Sequence, residues 1–208
     1  VQCPAIILGV QKGYHGETKG CRIGLNNEEF IINENRDVDA TSFSFNMSDG
    51  EYDCLRVISS VQNAKYLANN AMFALGIVTG NNKEYITNEK ADGMEVILKG
   101  SDIFRYAMKE IDNYIQFAPE KFQQVAPTEM YRAEEKLLYR FIAEVPVFTY
   151  DNQQTLSLNS CNILIPQIAG MNIKYVLAVL NSSVAAYFIN KKYNSVKLLR
   201  SHIESLPI

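Results

Sequence analysis

The order of patterns along the chain predicts an α+β fold: a mainly antiparallel, twisted sheet with helices packed on it near the C-terminus. Short runs rich in β-branched and aromatic residues recur between residues 73 and 165, and Pro119, Pro127, Pro146 and Pro166 punctuate them. Beyond Pro166 the period changes. Ile173, Val176, Leu177 and Leu180 fall on one face at helical spacing, and Val184, Ala185 and Phe188 continue the stripe. With 208 residues and 47% hydrophobic content, the chain can bury a sizeable core.

In chain order, residues 5–10 read as a short apolar strand and residues 13–20, with three glycines, as a loop. Strands are expected at 21–25 and 29–32, followed by a polar stretch in which 41–46 alternates weakly. Leu55, Ile58 and Val61 suit a one-sided helix over 52–64, with Asp49 or Asp53 as N-cap. Runs at 73–79 and 84–87 flank Gly80, Asn81, Asn82 and Lys83, residue types that tolerate the positive φ of a tight hairpin. Residues 95–99 form a strand, Gly100, Ser101 and Asp102 a turn, and 103–109 a short element presenting Arg105 and Tyr106. Runs at 114–117, 137–143, 145–149 and 162–165 complete the sheet. Two helices or one bent helix follow, with Ser182 or Ser183 placed to cap the second.

The formal charge of −3 argues against a strongly basic nucleic-acid binder, but it is unevenly spread. Residues 1–75 carry 6 Lys/Arg against 9 Asp/Glu, residues 76–208 carry 14 of each, and residues 171–208 hold five cations against Glu204 alone. No apolar run reaches the roughly 18 residues a membrane-spanning helix needs, so no membrane partner is expected and the cytoplasm is the default compartment. Cys3, Cys21, Cys54 and Cys161 lack a Cys-x-x-Cys pair and have only His15 and His202 for company, so neither a metal site nor a disulfide frame is expected. Glu134-Glu135-Lys136 matches half of a metal-dependent nuclease motif without the preceding Pro-Asp. No catalytic residue is expected.

Five segments in order carry a resemblance: Gly76 to Lys83, Leu98 to Tyr106, Glu134 to Arg140, Lys174 to Ser182, and Leu206-Pro207. From about Asp53 to Ile208 the chain resembles the TaqI-like C-terminal specificity domain, the target-recognition module of adenine-specific DNA methyltransferases and of restriction enzymes fused to them. The resemblance implies a fold like that of the DNA methylase specificity domains. It also implies double-stranded DNA as partner and an N-terminal methyltransferase domain in the same polypeptide. That domain would bind S-adenosylmethionine, with no cofactor in this fragment, which lacks an Asn-Pro-Pro-Tyr motif and a Gly-x-Gly turn. On this reading residues 1–12 are the last strand of the methyltransferase domain, or else an edge strand of this one. Residues 13–51 are a linker or peripheral strands, and 52–208 the DNA target-recognition domain.

Reading a duplex takes Arg or Lys for guanine edges, Asn or Gln for adenine edges, and donors that set register on phosphates. The expected DNA-binding set is therefore Thr79, Asn81, Asn82, Lys83, Arg105, Arg132, Lys136 and Arg140. Some of these and their neighbours have a plainer reading. Gly80 to Asn82 also serve to make the turn, Arg105 can pair with Asp102, Tyr106 reads as packing, and Lys191 and Lys192 complement a helix dipole. A protein-interaction scaffold without DNA binding, consistent with the negative charge and 12 tyrosines, is the rival function.

Overall fold

The computed structural model describes residues 7–13, 16–23, 26–33, 36 and 45–208. Twelve strands and six helices occur among them: β1 (Thr18–Arg22), β2 (Glu28–Ile32), α1 (Asp49–Ser59), β3 (Ala71–Ala74), α2 (Asn82–Tyr85), β4 (Ile86–Thr87), β5 (Glu95–Leu98), β6 (Ile103–Phe104), β7 (Ala107–Met108), β8 (Tyr114–Ile115), α3 (Thr128–Tyr131), β9 (Lys136–Arg140), β10 (Phe148–Asp151), β11 (Leu156–Ser157), β12 (Cys161–Pro166), α4 (Ile173–Leu180), α5 (Ser183–Tyr193) and α6 (Arg200–Glu204). The fold is α+β with mainly antiparallel sheets and C-terminal helices.

The organising layer is a four-stranded antiparallel sheet in the order β10-β9-β12-β3. Because successive strand residues point to opposite faces, one run of apolar residues fills two cores. Leu137, Tyr139, Phe148 and Leu164 face α1, α4, α5 and α6, packing with Leu55, Val176, Leu180, Phe188 and Ile203. Leu138, Cys161 and Ile163 face a second sheet, β11-β5-β8-β4, packing with Ile97, Leu98, Ile115 and Leu156. Within the second sheet β11 runs parallel to β5. The chain is thus three layers deep, helices on sheet on sheet.

Helix starts follow side-chain chemistry. Ser182 caps α5 by accepting from the Ala185 amide, as the sequence suggested, and a bend of 57° separates α4 from α5. Helix α1 begins earlier than expected, at Asp49, because Ser48 and Glu51 form a capping box. Glu51 also receives Arg22 from β1 and Lys191 from α5, so one carboxylate clamps three segments. Burial alone would raise its pKa; hydrogen bonds from Arg22, Lys191 and the Ser48 amide outweigh that and hold it at about 2.

Several expectations are corrected. The hairpin expected across 73–87 does not form. The ladder of β3 is taken by β12, with Ala74 opposite Ile163 and Met72 opposite Ile165, while residues 82–85 coil into α2 and β4 pairs with β8. Residues 7–10 form no strand, and residues 1–6 and 41–44, on which two expected strands fall, lie outside the described residues. The first two strands pair in a register from Thr18–Ile32 to Arg22–Glu28, earlier than the glycine-rich composition suggested. No single helix among the described residues is long and apolar enough to cross a membrane.

Candidate nucleic-acid interface

The candidate residues emerge from loops at the rim of the sheet-on-sheet core. At residues 76–79 the backbone crosses between two supports. Ile77 donates to the Ser157 carbonyl at 2.7 Å, and Val78 exchanges backbone hydrogen bonds with Gln124 at 2.9 and 3.0 Å. Gly80, at φ +83°, then turns the chain into α2, a conformation that costs a side chain dearly and glycine little. Thr79 is buried and donates its hydroxyl to Asn82 Oδ1 at 2.6 Å, and Asn81 Nδ2 donates to Glu84 Oε2 at 3.2 Å. The amides of Asn81 and Asn82 and the ammonium of Lys83 are exposed. They line a shallow groove with Gln123 and Asn159.

Asn159 leads to the second half of the surface. Its neighbour Ser160 accepts from the Gly100 amide through Oγ at 3.0 Å and from the Phe141 amide through its carbonyl at 3.1 Å. A Cβ on Gly100 would collide with that carbonyl, so the two loops meet backbone to backbone. Past Gly100 the hairpin β6–β7 projects, with Arg105 and Tyr106 as its two-residue turn. Arg105 Nε donates to the Pro146 carbonyl at 3.2 Å, and the residue stays exposed. Arg140, half-buried on β9, donates through Nε to the Ile103 carbonyl at 3.0 Å and lies 5.4 Å from the centre of the Phe104 ring. The structure therefore gathers Asn81, Asn82 and Lys83 with Asn159 in one groove, ties the adjoining Ser160 to Gly100, and joins Arg140 to the β6–β7 hairpin at Ile103.

Three expected members do not belong there. Lys136 is fully buried, its Nζ 2.6 Å from Asp151 Oδ2 and 2.8 Å from the Tyr131 carbonyl. It cannot reach a duplex from inside the core; burial pulls its pKa down even against the Asp151 carboxylate. Thr79 orders Asn82 from beneath the surface rather than contacting a ligand itself. Arg132 makes a two-pronged pair with Glu95 at 2.6 and 2.7 Å and stacks 5.2 Å over Phe117, which satisfies its fork within the fold. Asp102, offered as a partner for Arg105, instead pairs with Lys109 at 2.8 Å.

Gln123, Asn159 and Phe104 are rim residues that the sequence pattern did not single out. The amides sit in separate loops, and only strand pairing brings 78 to 124 and 77 to 158. Tyr106, read as packing, is 57% exposed. Carboxamides offer the paired donor and acceptor that match an adenine edge, and guanidiniums match guanine. Among the described residues no group of three or more His, Cys, Asp or Glu side chains is placed to hold a metal ion.

The chain belongs to the family of TaqI-like C-terminal specificity domains, whose model matches residues 95–208. Arg105, Arg132, Lys136 and Arg140 lie within the match, and Thr79, Asn81, Asn82 and Lys83 ahead of it. No curated protein matches the chain. A solved structure described as the "structural basis underlying complex assembly and conformational transition of the type I R-M system" is 13% identical with a TM-score of 0.47. The match covers 77% of this chain and 40% of that one, a likeness too slight to carry an argument.

Proposed function

We propose that this chain reads double-stranded DNA for a restriction-modification enzyme, chiefly through the major groove, and supplies the address rather than the reaction. The observation that carries the reading is the groove that gathers carboxamides at 81, 82, 123 and 159 with Lys83, beside a Ser160 whose hydroxyl is hydrogen-bonded to Gly100 at the root of the Arg105 hairpin. Family membership supports the same role. The enzyme served would be an adenine-N6 methyltransferase whose catalytic domain precedes this one in the same polypeptide and binds S-adenosylmethionine there. Residues 1–12 would then belong to that domain as its last strand, 13–51 to a linker or peripheral strands, and 52–208 to the reader.

Binding of duplex oligonucleotides to the chain, measured across a salt series, tests the proposal. Affinity should fall steeply as salt rises, because phosphate neutralisation releases counterions. Arg105→Ala should cost about 1–3 kcal/mol of discrimination between sequences. Salt-independent binding, or retention of a protein rather than DNA, would favour the scaffold and overturn the reading. An in-frame Asn-Pro-Pro-Tyr type motif ahead of residue 1 would support the methyltransferase assignment.

A further inference from the structure

We infer that the β6–β7 turn is a rigid probe whose aromatic side chains, Phe104 and Tyr106, pack on bases of the duplex beside Arg105. The inference rests on the DNA-reading role proposed above and assigns it two residues of a kind that the hydrogen-bonding logic of base readout passes over.

Phe104 is 50% and Tyr106 57% exposed, although their neighbour Ile103 is wholly buried. Tyr106 sits at the second position of a two-residue turn with φ +67°. Glycine or asparagine normally takes that place, because a Cβ there crowds the backbone. A bulky side chain held in such a conformation and turned to solvent makes no obvious contribution to folding, and such outliers gather at binding sites.

The turn is braced at both ends. At its base, buried Asp102 accepts from the Lys99 amide at 2.7 Å and pairs with Lys109 at 2.8 Å, while the Lys109 amide donates to the Asp102 carbonyl at 2.9 Å. The apex is tied down where the Tyr106 amide donates to the Phe148 carbonyl at 3.1 Å and Arg105 Nε to the Pro146 carbonyl at 3.2 Å. Beneath Phe104, the Arg140 guanidinium is fixed by the Ile103 carbonyl. Aromatic rings thus project from a preorganised support, which loses little freedom on binding.

The chemistry selects the occupant. Arg140 lies 5.4 Å from the Phe104 ring and exposed Arg105 stands between the two aromatics in the turn, so the partner is a polyanion that also offers flat π faces or methyl groups. Duplex DNA supplies both, through its phosphates and through base edges such as the thymine methyl, and apolar side chains in other readers make such contacts.

The experiment is selection by the 208-residue chain from a pool of duplexes with a randomised centre, followed by affinity measurements on the selected duplex across a salt series. The Phe104→Ala/Tyr106→Ala double variant should bind that duplex roughly tenfold or more weakly, with an unchanged salt slope, and Arg105→Ala should narrow the affinity gap between the selected duplex and the unselected pool by roughly tenfold or more. Tyr106→Phe should retain affinity. Tyr106→Gly should lose it while melting no lower than the parent, since the turn suits glycine. If the double variant binds the selected duplex within about twofold of the parent, the aromatic contact is overturned and DNA recognition stands. If the parent chain retains no duplex, the recognition role fails, and the inference with it.

Discussion

The two faces of the central sheet bury polar groups for different purposes. Toward the helices the core is mainly apolar, with buried Asn181 accepting from the Phe148 amide and donating to its carbonyl, both at 2.9 Å, and buried His202 stacked on Tyr193. Toward the second sheet, buried polar groups hold loops. Lys136 joins the Tyr131 carbonyl to Asp151, and Asp151 in turn accepts from the Thr155 amide at 3.0 Å and hydroxyl at 2.7 Å. Asp102 does the same for the β6–β7 hairpin. The helix side is thus a mainly apolar cover pinned at its edge by the Glu51 ion pairs. The sheet side is a frame whose buried charges hold the 151–155 loop and the base of the β6–β7 hairpin.

The largest effect should come from breaking the frame. Lys136→Ala leaves the Asp151 carboxylate buried and unpaired and should cost about 3–5 kcal/mol, read from urea unfolding of the purified chain. A loss below about 1 kcal/mol would show that water or another cation satisfies Asp151 and that the two faces are less different than the geometry indicates. Next is the joint between the halves of the rim. Gly100→Ala drives a methyl into the Ser160 carbonyl and should cost about 1–3 kcal/mol. DNA affinity should fall beyond what unfolding explains, since the hairpin moves with Gly100. Equal affinity per folded molecule would uncouple the joint from the surface.

The smallest effect tests the helix-side cover. Glu51 is held at about 2, below the ordinary carboxylate value, so its contribution is complete above pH 4.5 and is lost as pH falls toward 2. Glu51→Gln should cost about 1 kcal/mol near neutrality, the partly exposed pairs with Arg22 and Lys191 being screened by solvent, and should flatten the acid side of a stability–pH profile. A profile that stays as steep as the parent's between pH 4.5 and 2 would place the acid sensitivity elsewhere.

Much of the fold was legible where local chemistry decides. The stripes at 173–180 and 184–188, a serine cap at 182 or 183, which falls on Ser182, and the strand expected at 95–99 follow from spacing and side-chain type alone. The Ser48-x-x-Glu51 capping box was equally available in the sequence, and finding it would have started α1 at Asp49. The hairpin at 73–87 was not legible. Apolar runs on either side of a Gly-Asn-Asn turn are compatible with pairing to each other or to strands far away, and β12, some ninety residues on, pairs with β3 instead.

The candidate site divides the same way. Residue chemistry alone determined that Asn81, Asn82, Lys83, Arg105 and Arg140 had the right groups for a duplex, because donor and acceptor sets belong to the side chain. It determined the α+β class too, since the hydrophobic period reports which elements form. Tertiary structure alone decided that Lys136 is sealed against Asp151, that Arg132 is spent on Glu95, and that Asn159 bridges two distant loops. The physical reason is that burial and pairing depend on which strands lie side by side, and those partners come from parts of the chain that no local pattern connects.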